Sequence, residues 1–431
     1  MDLVAHLSRT GPQPAARLGE ALGLSSSSLN RAVQAVRDQL LVVGRARATR
    51  YAARRSIEGV RTPVDVFEVS AAGEARRVAT LHPVAPFGWW VEGHADDVSS
   101  GFTATAPDHR GPDVPWWLLD ARPSGFFGRA WLSSHADHGY PSDLARWTGE
   151  DVLRFAVEHG SDLVGALVVG PLARDRRDEH PPPLDEDRVA DALPELAQRA
   201  LDRTPSTSSP GGEQPKLTLR IRDGDEERVE LVKFSPPLST PGGRRWADLL
   251  VCEHLAHDAV RRLGVDSCQS SVVDAGERRF LRVVRFDRHG ARGRSGLVSL
   301  DALDVDGVGS ELHRWSAVTS RLVREGRLST EDHARVQRLE AFGHAIANTD
   351  MHLGNLSLRM HGTTLAGLAP VYDMLPMFFA PRHGGELPRP TWRPPDDTPA
   401  DVRAVAADWW GRVASDERIS TGFRRLATAF G

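Results

Sequence analysis

Only two of the chain's 54 lysine and arginine residues are lysine, Lys216 and Lys233, and both fall in one β-prone stretch. The runs "PKLTLRIR" and "RVELVKFSPP" flank the turn "DGDEE" and read as antiparallel strands, with Lys216 opening the first and Lys233 near the end of the second. A chain that uses arginine for every other such charge keeps lysine where a compact ammonium, not a planar fork, is needed. The following helix, "RRWADLLVCEHLAHDAVRRLG", adds a second constraint. Trp246, Leu249, Leu250, Ala256, Val260 and Leu263 form its apolar stripe, and Glu253 falls inside that stripe. A carboxylate facing a core must find a cation or a strong hydrogen bond, and Lys233 is the natural partner. The spacing predicts a helix laid on a sheet and joined to it by a buried ion pair.

Three further residues follow in an informative order. "ANTDMHLGNLSL" sets Asp350 and Asn355 five positions apart, and "PVYDMLP" supplies Asp373. Asp350 can orient an attacking hydroxyl and accept its proton, while Asn355 and Asp373 are hard oxygen ligands suited to Mg²⁺ on a phosphate chain. Each alone reads as a surface polar residue; their order after Lys216, Lys233 and Glu253 points to phosphoryl transfer. The Ser/Gly segment before Lys216, "SSPGGEQPK", suits a loop whose backbone N–H groups approach phosphate oxygens.

A length of 431 residues exceeds what one core usually supports and predicts two or three domains. Residues 1–60 stand apart, with nine arginines against four acids on a chain whose net charge is −4. "AARLGEALGLSSSSLNRAVQAVRDQL" reads as a helix, a turn at Gly23 and a serine-capped second helix, and "LVVGRARATRYAARR" as a hairpin wing. This is the pattern of a winged helix that binds double-stranded DNA. Ser26, Ser27, Asn30 and Arg31 would face the major groove, and Arg45, Arg47 and Arg50 the phosphates. The other reading of this segment is a docking module with a solvated charged face. Trp89, Trp90, Trp116, Trp117, Phe126 and Phe127 read as core rather than as a binding cleft. Cys252 and Cys268 form neither a disulfide framework nor a metal quartet. The longest apolar run falls short of the ~20 residues of a membrane helix, so a cytoplasmic protein without membrane contact is expected.

From about residue 61 onward the chain resembles the HipA-like serine/threonine kinases of toxin–antitoxin systems. The motifs that carry the likeness are "SPGGEQPK", "LVKF", Glu253, "RFDR", "TDMHLGN" and "YDM". The resemblance implies an α+β, bilobal protein-kinase-like fold, with a mixed, β-rich N-lobe over 61–287 including the phosphate loop and a mostly helical C-lobe over 288–431, preceded by the small winged-helix domain of 1–60. It implies ATP and Mg²⁺ as cofactors. Asp350 and His352 become catalytic residues, Asn355 and Asp373 metal ligands, and Ser209 an autophosphorylated, inhibitory serine. Gly211, Gly212, Gln214, Lys216, Lys233, Glu253, Arg285, Phe286 and Asp287 become nucleotide-binding residues, 285–288 supplying hinge and ribose contacts. The targets implied are proteins of the translation machinery, aminoacyl-tRNA synthetases being the known class. The family's usual helix-turn-helix antitoxin is a separate chain, whereas here such a domain is fused, as in a known subgroup, and a homodimer on DNA is a further expectation. Two other readings stay open on the residues alone, a transcriptional regulator that senses nucleotide and a small-molecule kinase.

Overall fold

The computed structural model describes residues 2–103, 114–173, 182–203, 214–305, 313–382, 386–388 and 392–430. The basic N-terminal segment folds as α1 (Leu3–Thr10), β1 (Gln13–Pro14), α2 (Ala15–Leu22), α3 (Ser26–Ala35), β2 (Leu40–Val43) and β3 (Arg50–Ala53). Gly23 ends α2 in the left-handed region at φ 65°, where a side chain is strained, and Ser25 caps α3 by accepting the Ser28 N–H. Leu7, Leu18, Leu29, Val33, Leu40 and Tyr51 close a small core beneath the β1–β3–β2 sheet.

This unit is joined to the next one through backbone as well as side chains. The Ala85 N–H donates to Ala53 and the Arg55 N–H to Pro83, so strand β3 runs on into a second sheet. Leu41, Ala52 and Val84 form an apolar seam with Trp90 and Phe102. The Arg50 guanidinium lies 5.6 Å from the Phe102 ring centre, and that of Arg55 5.5 Å from Trp89.

The second unit is an antiparallel sheet of β4 (Val64–Val69), β5 (Ala75–Pro83), β6 (Trp89–Gly93), β7 (Gly101–Phe102) and β8 (Leu167–Val169), in the order β7-β6-β5-β4-β8. Helices α4 (Gly125–Ser134) and α5 (Gly149–His159) intervene before β8. Trp89, Trp117 and Phe126 are buried, Trp90 and Trp116 half-buried, and Phe127 is 43% exposed, so most of the aromatic residues serve as core.

A third unit holds the lysine hairpin. Its sheet orders β12 (Ser270–Ala275), β13 (Arg278–Val284), β11 (Glu226–Phe234), β10 (Lys216–Asp223) and β9 (Leu184–Asp185). Helix α6 (Glu186–Asp202) covers one face with Val189, Leu193 and Ala197, and the 22-residue α7 (Pro241–Arg262) packs on β11, β12 and β13. Arg282 holds the start of α6 to the sheet, its guanidinium meeting Glu186 at 2.7 Å and Glu230 at 2.7 and 3.0 Å. Residues 61–287, expected as one lobe, thus carry two separate sheets, and the core of the first is continuous with that of α7 and the helical lobe.

The remainder is mostly helical. Strands β14 (Arg288–His289) and β15 (Gly293–Arg294) form a ribbon, and β16 (Gly296–Ser299) leads into α8 (Leu300–Val305), α9 (Trp315–Arg324) and α10 (Thr330–Ala345). Strands β17 (Ser357–His361) and β18 (Thr364–Leu368) complete a sheet with β16, and α11 (Ala400–Ser415) and α12 (Thr421–Ala427) end the chain. Trp315, Phe342, Phe379, Trp409, Trp410 and Phe423 are all at most 1% exposed and form the interior of this lobe. Half-buried Asp120 of the second unit accepts the Ser299 N–H at 2.7 Å and its hydroxyl at 2.6 Å, pinning the start of α8. Among the described residues no helix is long and apolar enough to cross a membrane.

Candidate active site

The hairpin register sets Lys216 directly opposite Lys233 on β10 and β11, so both ammonium groups share one face of the sheet. Lys233 is 4% exposed and Glu253, at the middle of α7, is fully buried. The Lys233 Nζ donates to Glu253 Oε1 at 2.7 Å, to Glu253 Oε2 at 2.9 Å, and to Asp373 Oδ1. Three N–H donors meet three carboxylate oxygens, a match that a planar guanidinium would not reproduce in the same space. Burial works to lower the Lys233 pKa, but Asp373 and Glu253 outweigh it and hold the ammonium charged well above its usual range. Burial also opposes ionisation of Asp373, and Lys233 and Lys216 hold that carboxyl down at about 2. For Glu253 burial raises the pKa, against the pull of Lys233.

Asp373 has φ 59°, a left-handed conformation rare outside glycine and a form of strain that recurs at functional sites. The loop between α10 and β17 is fixed from several sides. Asn348, 2% exposed, accepts the Asp350 N–H at 3.0 Å and reaches the Asp373 carbonyl with its amide at 3.4 Å. Asn355 donates its amide to the Asp350 carbonyl at 2.8 Å, leaving its side-chain oxygen available. The Trp315 indole donates to the His352 carbonyl at 2.9 Å, and the Tyr372 hydroxyl to the Gly354 carbonyl at 3.1 Å. His352 accepts the Gly354 N–H at 3.1 Å through Nδ1. Asp350 itself is exposed, at the edge of an open cavity of about 460 Å³ lined by His344, Asn348, Thr349, Met351, His352 and Trp392 as well. A held loop presenting one free carboxylate is what a general base requires.

Beside the lysine lies an apolar wall of Leu250, Cys268, Leu281 and Val283, with Val272, Phe286 and Tyr372 against it. Both cysteines are buried and free, and burial pushes the Cys268 thiol up to about 12, so each acts as packing.

The structure brings Lys216, Lys233, Glu253, Phe286, Asp373 and the Asp350–Asn355 loop together. Arg285 and Asp287 are placed differently from the ribose contacts expected of them. Both Asp287 oxygens are taken by Arg285, one of them also by Arg288 at 2.7 Å and the Gly165 N–H at 3.0 Å, and Arg285 and Arg288 both reach Asp162. These residues lock the hinge strand to the second unit, and only Phe286 of the group joins the apolar wall. The Gln214 side-chain nitrogen is buried with no hydrogen-bond partner among the described residues, while Ser209, Gly211 and Gly212 lie outside those residues. Ser26, Ser27, Asn30, Arg31, Arg45, Arg47 and Arg50 are exposed on the first unit, with Arg50 drawn toward Phe102. Sequence reasoning missed Asn348, Trp315 and Tyr372, whose contribution is a hydrogen bond to backbone and therefore leaves no spacing pattern.

Comparison with known proteins bears on the family and the fold. A family model described as "HipA-like C-terminal domain" matches residues 208–419, and one described as "YjjJ-like toxin, middle domain" matches 60–177. Toxin YjjJ of Escherichia coli (strain K12) is 33% identical over 437 residues, covering 99% of this chain and 96% of its own. The HipA structure from the Shewanella oneidensis MR-1 toxin–antitoxin system, solved with HipB and operator DNA, matches with a TM-score of 0.56 at 14% identity. That match covers 84% of this chain and 94% of the other, and at this identity it speaks for the fold alone. A Helicobacter pylori proinflammatory kinase matches with a TM-score of 0.34 at 12% identity over 53% of this chain and 89% of its own, too distant to argue from. The fold is α+β and protein-kinase-like.

His257, one turn beyond Glu253, gives a test of the site's electrostatics. Its Nδ1 meets the Ser270 hydroxyl at 2.8 Å, its Nε2 is buried without a partner among the described residues, and burial, with Lys233 adding, lowers its pKa to about 3. A histidine titrates near ~6.5 in an unfolded chain, so its contribution to stability is complete above that pH and is lost as pH falls toward 3, where only the unfolded state takes up the proton. Between pH 6 and 4 the unfolding free energy of the wild type should fall more steeply than that of His257→Gln, by about 1.4 kcal/mol per pH unit. Urea titrations at pH 4, 5 and 6 measure both slopes, and parallel slopes would show that His257 is not held neutral.

Proposed function

The chain belongs to the HipA-like toxins, and from that membership we propose that it is an ATP- and Mg²⁺-dependent serine/threonine protein kinase that carries its own DNA-binding domain. The observation that bears most on this reading is the ammonium of Lys233 held between Glu253 and Asp373 beside the Asp350–Asn355 loop. Asn355 and Asp373 would hold Mg²⁺, since the donor set is hard oxygen, the Asn355 side-chain oxygen is turned away from its own hydrogen bond, and the second Asp373 oxygen accepts no hydrogen bond from a described residue. When bound, the ion supplies charge neutralisation on the phosphate oxygens. Lys233 and Lys216 orient the phosphate chain, and Glu253 fixes Lys233 against it. Asp350 aligns the acceptor hydroxyl and takes its proton.

In this reading the substrate is a protein, of the translation machinery by family analogy, and Ser209 is the regulatory autophosphorylation residue. The winged helix would bring the kinase to double-stranded DNA, with α3 in the major groove and Arg45 and Arg47 along phosphates. The solved HipA is complexed with HipB and operator DNA. By analogy, operator DNA, and a second copy or an antitoxin chain upon it, are the partners proposed.

Asp350→Asn should keep MgATP binding and lower phosphoryl transfer by about 10²-fold or more. Lys233→Arg should impair nucleotide use although charge is kept. Calorimetric titration with MgATP, followed by intact-mass spectrometry after incubation, measures both steps; wild-type transfer in Asp350→Asn would overturn the assignment of the base. On DNA, Arg31→Ala should relax preference at one base pair and weaken binding by about 1–3 kcal/mol, whereas Arg47→Ala should weaken all sequences alike and flatten the salt dependence. Anisotropy titrations of the full chain at several salt concentrations separate the two, and absence of binding at low salt would return the segment to the docking reading.

A further inference from the structure

The pair that organises the site depends on where α7 lies, and the residues that fix α7 come from the end of the chain. Asp248, 2% exposed, accepts the Ser420 backbone N–H at 2.7 Å through one oxygen and the Ser420 hydroxyl at 2.6 Å through the other. Ser420 is the cap of α12, so one serine both starts the last helix and ties it to α7. Arg245 donates to the Phe379 carbonyl at 3.0 Å and lies 4.7 Å over the ring of Phe423, itself fully buried on α12. Asp258 accepts from Arg412 of α11 at 3.1 Å, and Arg262 pairs with Asp408. Contacts at 245, 248, 258 and 262 run nearly the length of the helix.

Their direction matters as much as their number. At about 100° per residue, the five positions from Asp248 to Glu253 turn the helix by about 140°. Glu253 therefore points away from the C-terminal helices and toward β11, where Lys233 meets it. A helix held along one side presents its carboxylate from the other. The sheet packs against α7 from the Glu253 side, and the C-terminal contacts oppose it from the other, so Glu253 does not rely on the Lys233 contact, whose desolvation opposes its formation.

We infer that α11 and α12 form a clamp that keeps Glu253 engaged with Lys233, with Asp248 and Ser420 as positioning residues for the nucleotide site. Ser420 lies one residue beyond the 208–419 match to the HipA-like domain. The inference rests on the kinase reading for its catalytic consequence but not for its structural one. The clamp holds α7 in the engaged position without any ligand, so engagement of the ion pair is a standing property of the fold rather than a step in activation.

The test compares Ser420→Ala with Ser420→Thr in the full chain. The alanine variant loses the hydroxyl bond to Asp248 and the cap of α12; the threonine variant can keep both. Hydrogen–deuterium exchange of amides 246–258 should rise in Ser420→Ala, and KM for MgATP should rise about tenfold with a smaller change in kcat, both returning toward wild type in Ser420→Thr. Phe423→Leu, which weakens the same clamp without removing a polar group, should move both quantities in the same direction. Unchanged exchange over α7 in both Ser420→Ala and Phe423→Leu would overturn the clamp. A loss of thermal stability with wild-type exchange over α7 and wild-type KM would also overturn it, leaving Ser420 as a helix cap alone. Failure of the wild type to bind MgATP would count against the kinase reading, while the exchange comparison would still decide the clamp.

Discussion

The three carboxylate oxygens around one ammonium are the point at which the parts of this protein meet. Lys233 comes from a hairpin, Glu253 from the long helix laid on that hairpin, and Asp373 from the loop that follows the helical lobe's small sheet. Burying such a group is unfavourable unless every donor and acceptor is matched, and removing one partner leaves the others desolvated and unpaired. The strand register, the helix position and the lobe arrangement must therefore all be correct together. A strained backbone at Asp373 is tolerated because so much else fixes that residue.

Much of this was legible in the sequence because the chemistry is uncommon. Two lysines among 54 basic residues, a glutamate inside an apolar stripe, and the spacing of Asp350, Asn355 and Asp373 each mark a residue type chosen against the local trend. The N-terminal helix pair and wing were legible for a more ordinary reason, since Gly23, Ser25 and the Gly/Arg tip are turn and cap signals read at short range. What escaped is what depends on distant chain. Trp315 and Asn348 act through backbone hydrogen bonds, and no periodicity reports them. The division of residues 61–287 into two sheets was missed because β4 and β5, like β10 and β11, read only as strands and nothing local says which strands pair.

The "RFDR" segment, expected to supply hinge and ribose contacts, is bonded largely to the second unit. It follows β13 beside the apolar wall, and Phe286 joins that wall. Yet Arg285, Asp287 and Arg288 bond to one another and to Asp162 and Gly165, residues of the second unit. Burial works against ionising Asp287, but Arg285 and Arg288 hold its carboxyl well below the usual range. A carboxylate so committed is a fastener, and its partner lies in the segment that matches the YjjJ-like middle domain.

That fastener gives the middle unit a physical place between the two ends of the chain. On one side it shares backbone hydrogen bonds and an apolar seam with the winged helix, and on the other it holds the hinge strand through Asp162 and the start of α8 through Asp120. A single sheet lies between these contacts, in which β5 touches the wing and β4 and β8 lead back toward Gly165. The contacts of Asp287 with Arg285, Arg288 and Gly165 thus connect the second unit to the segment beside the apolar wall. The contacts of Asp162 with Arg285 and Arg288, of Asp120 with Ser299, and of Glu68 and Asp97 with the β17–β18 turn are described junctions between the second unit and the lobe that carries the site.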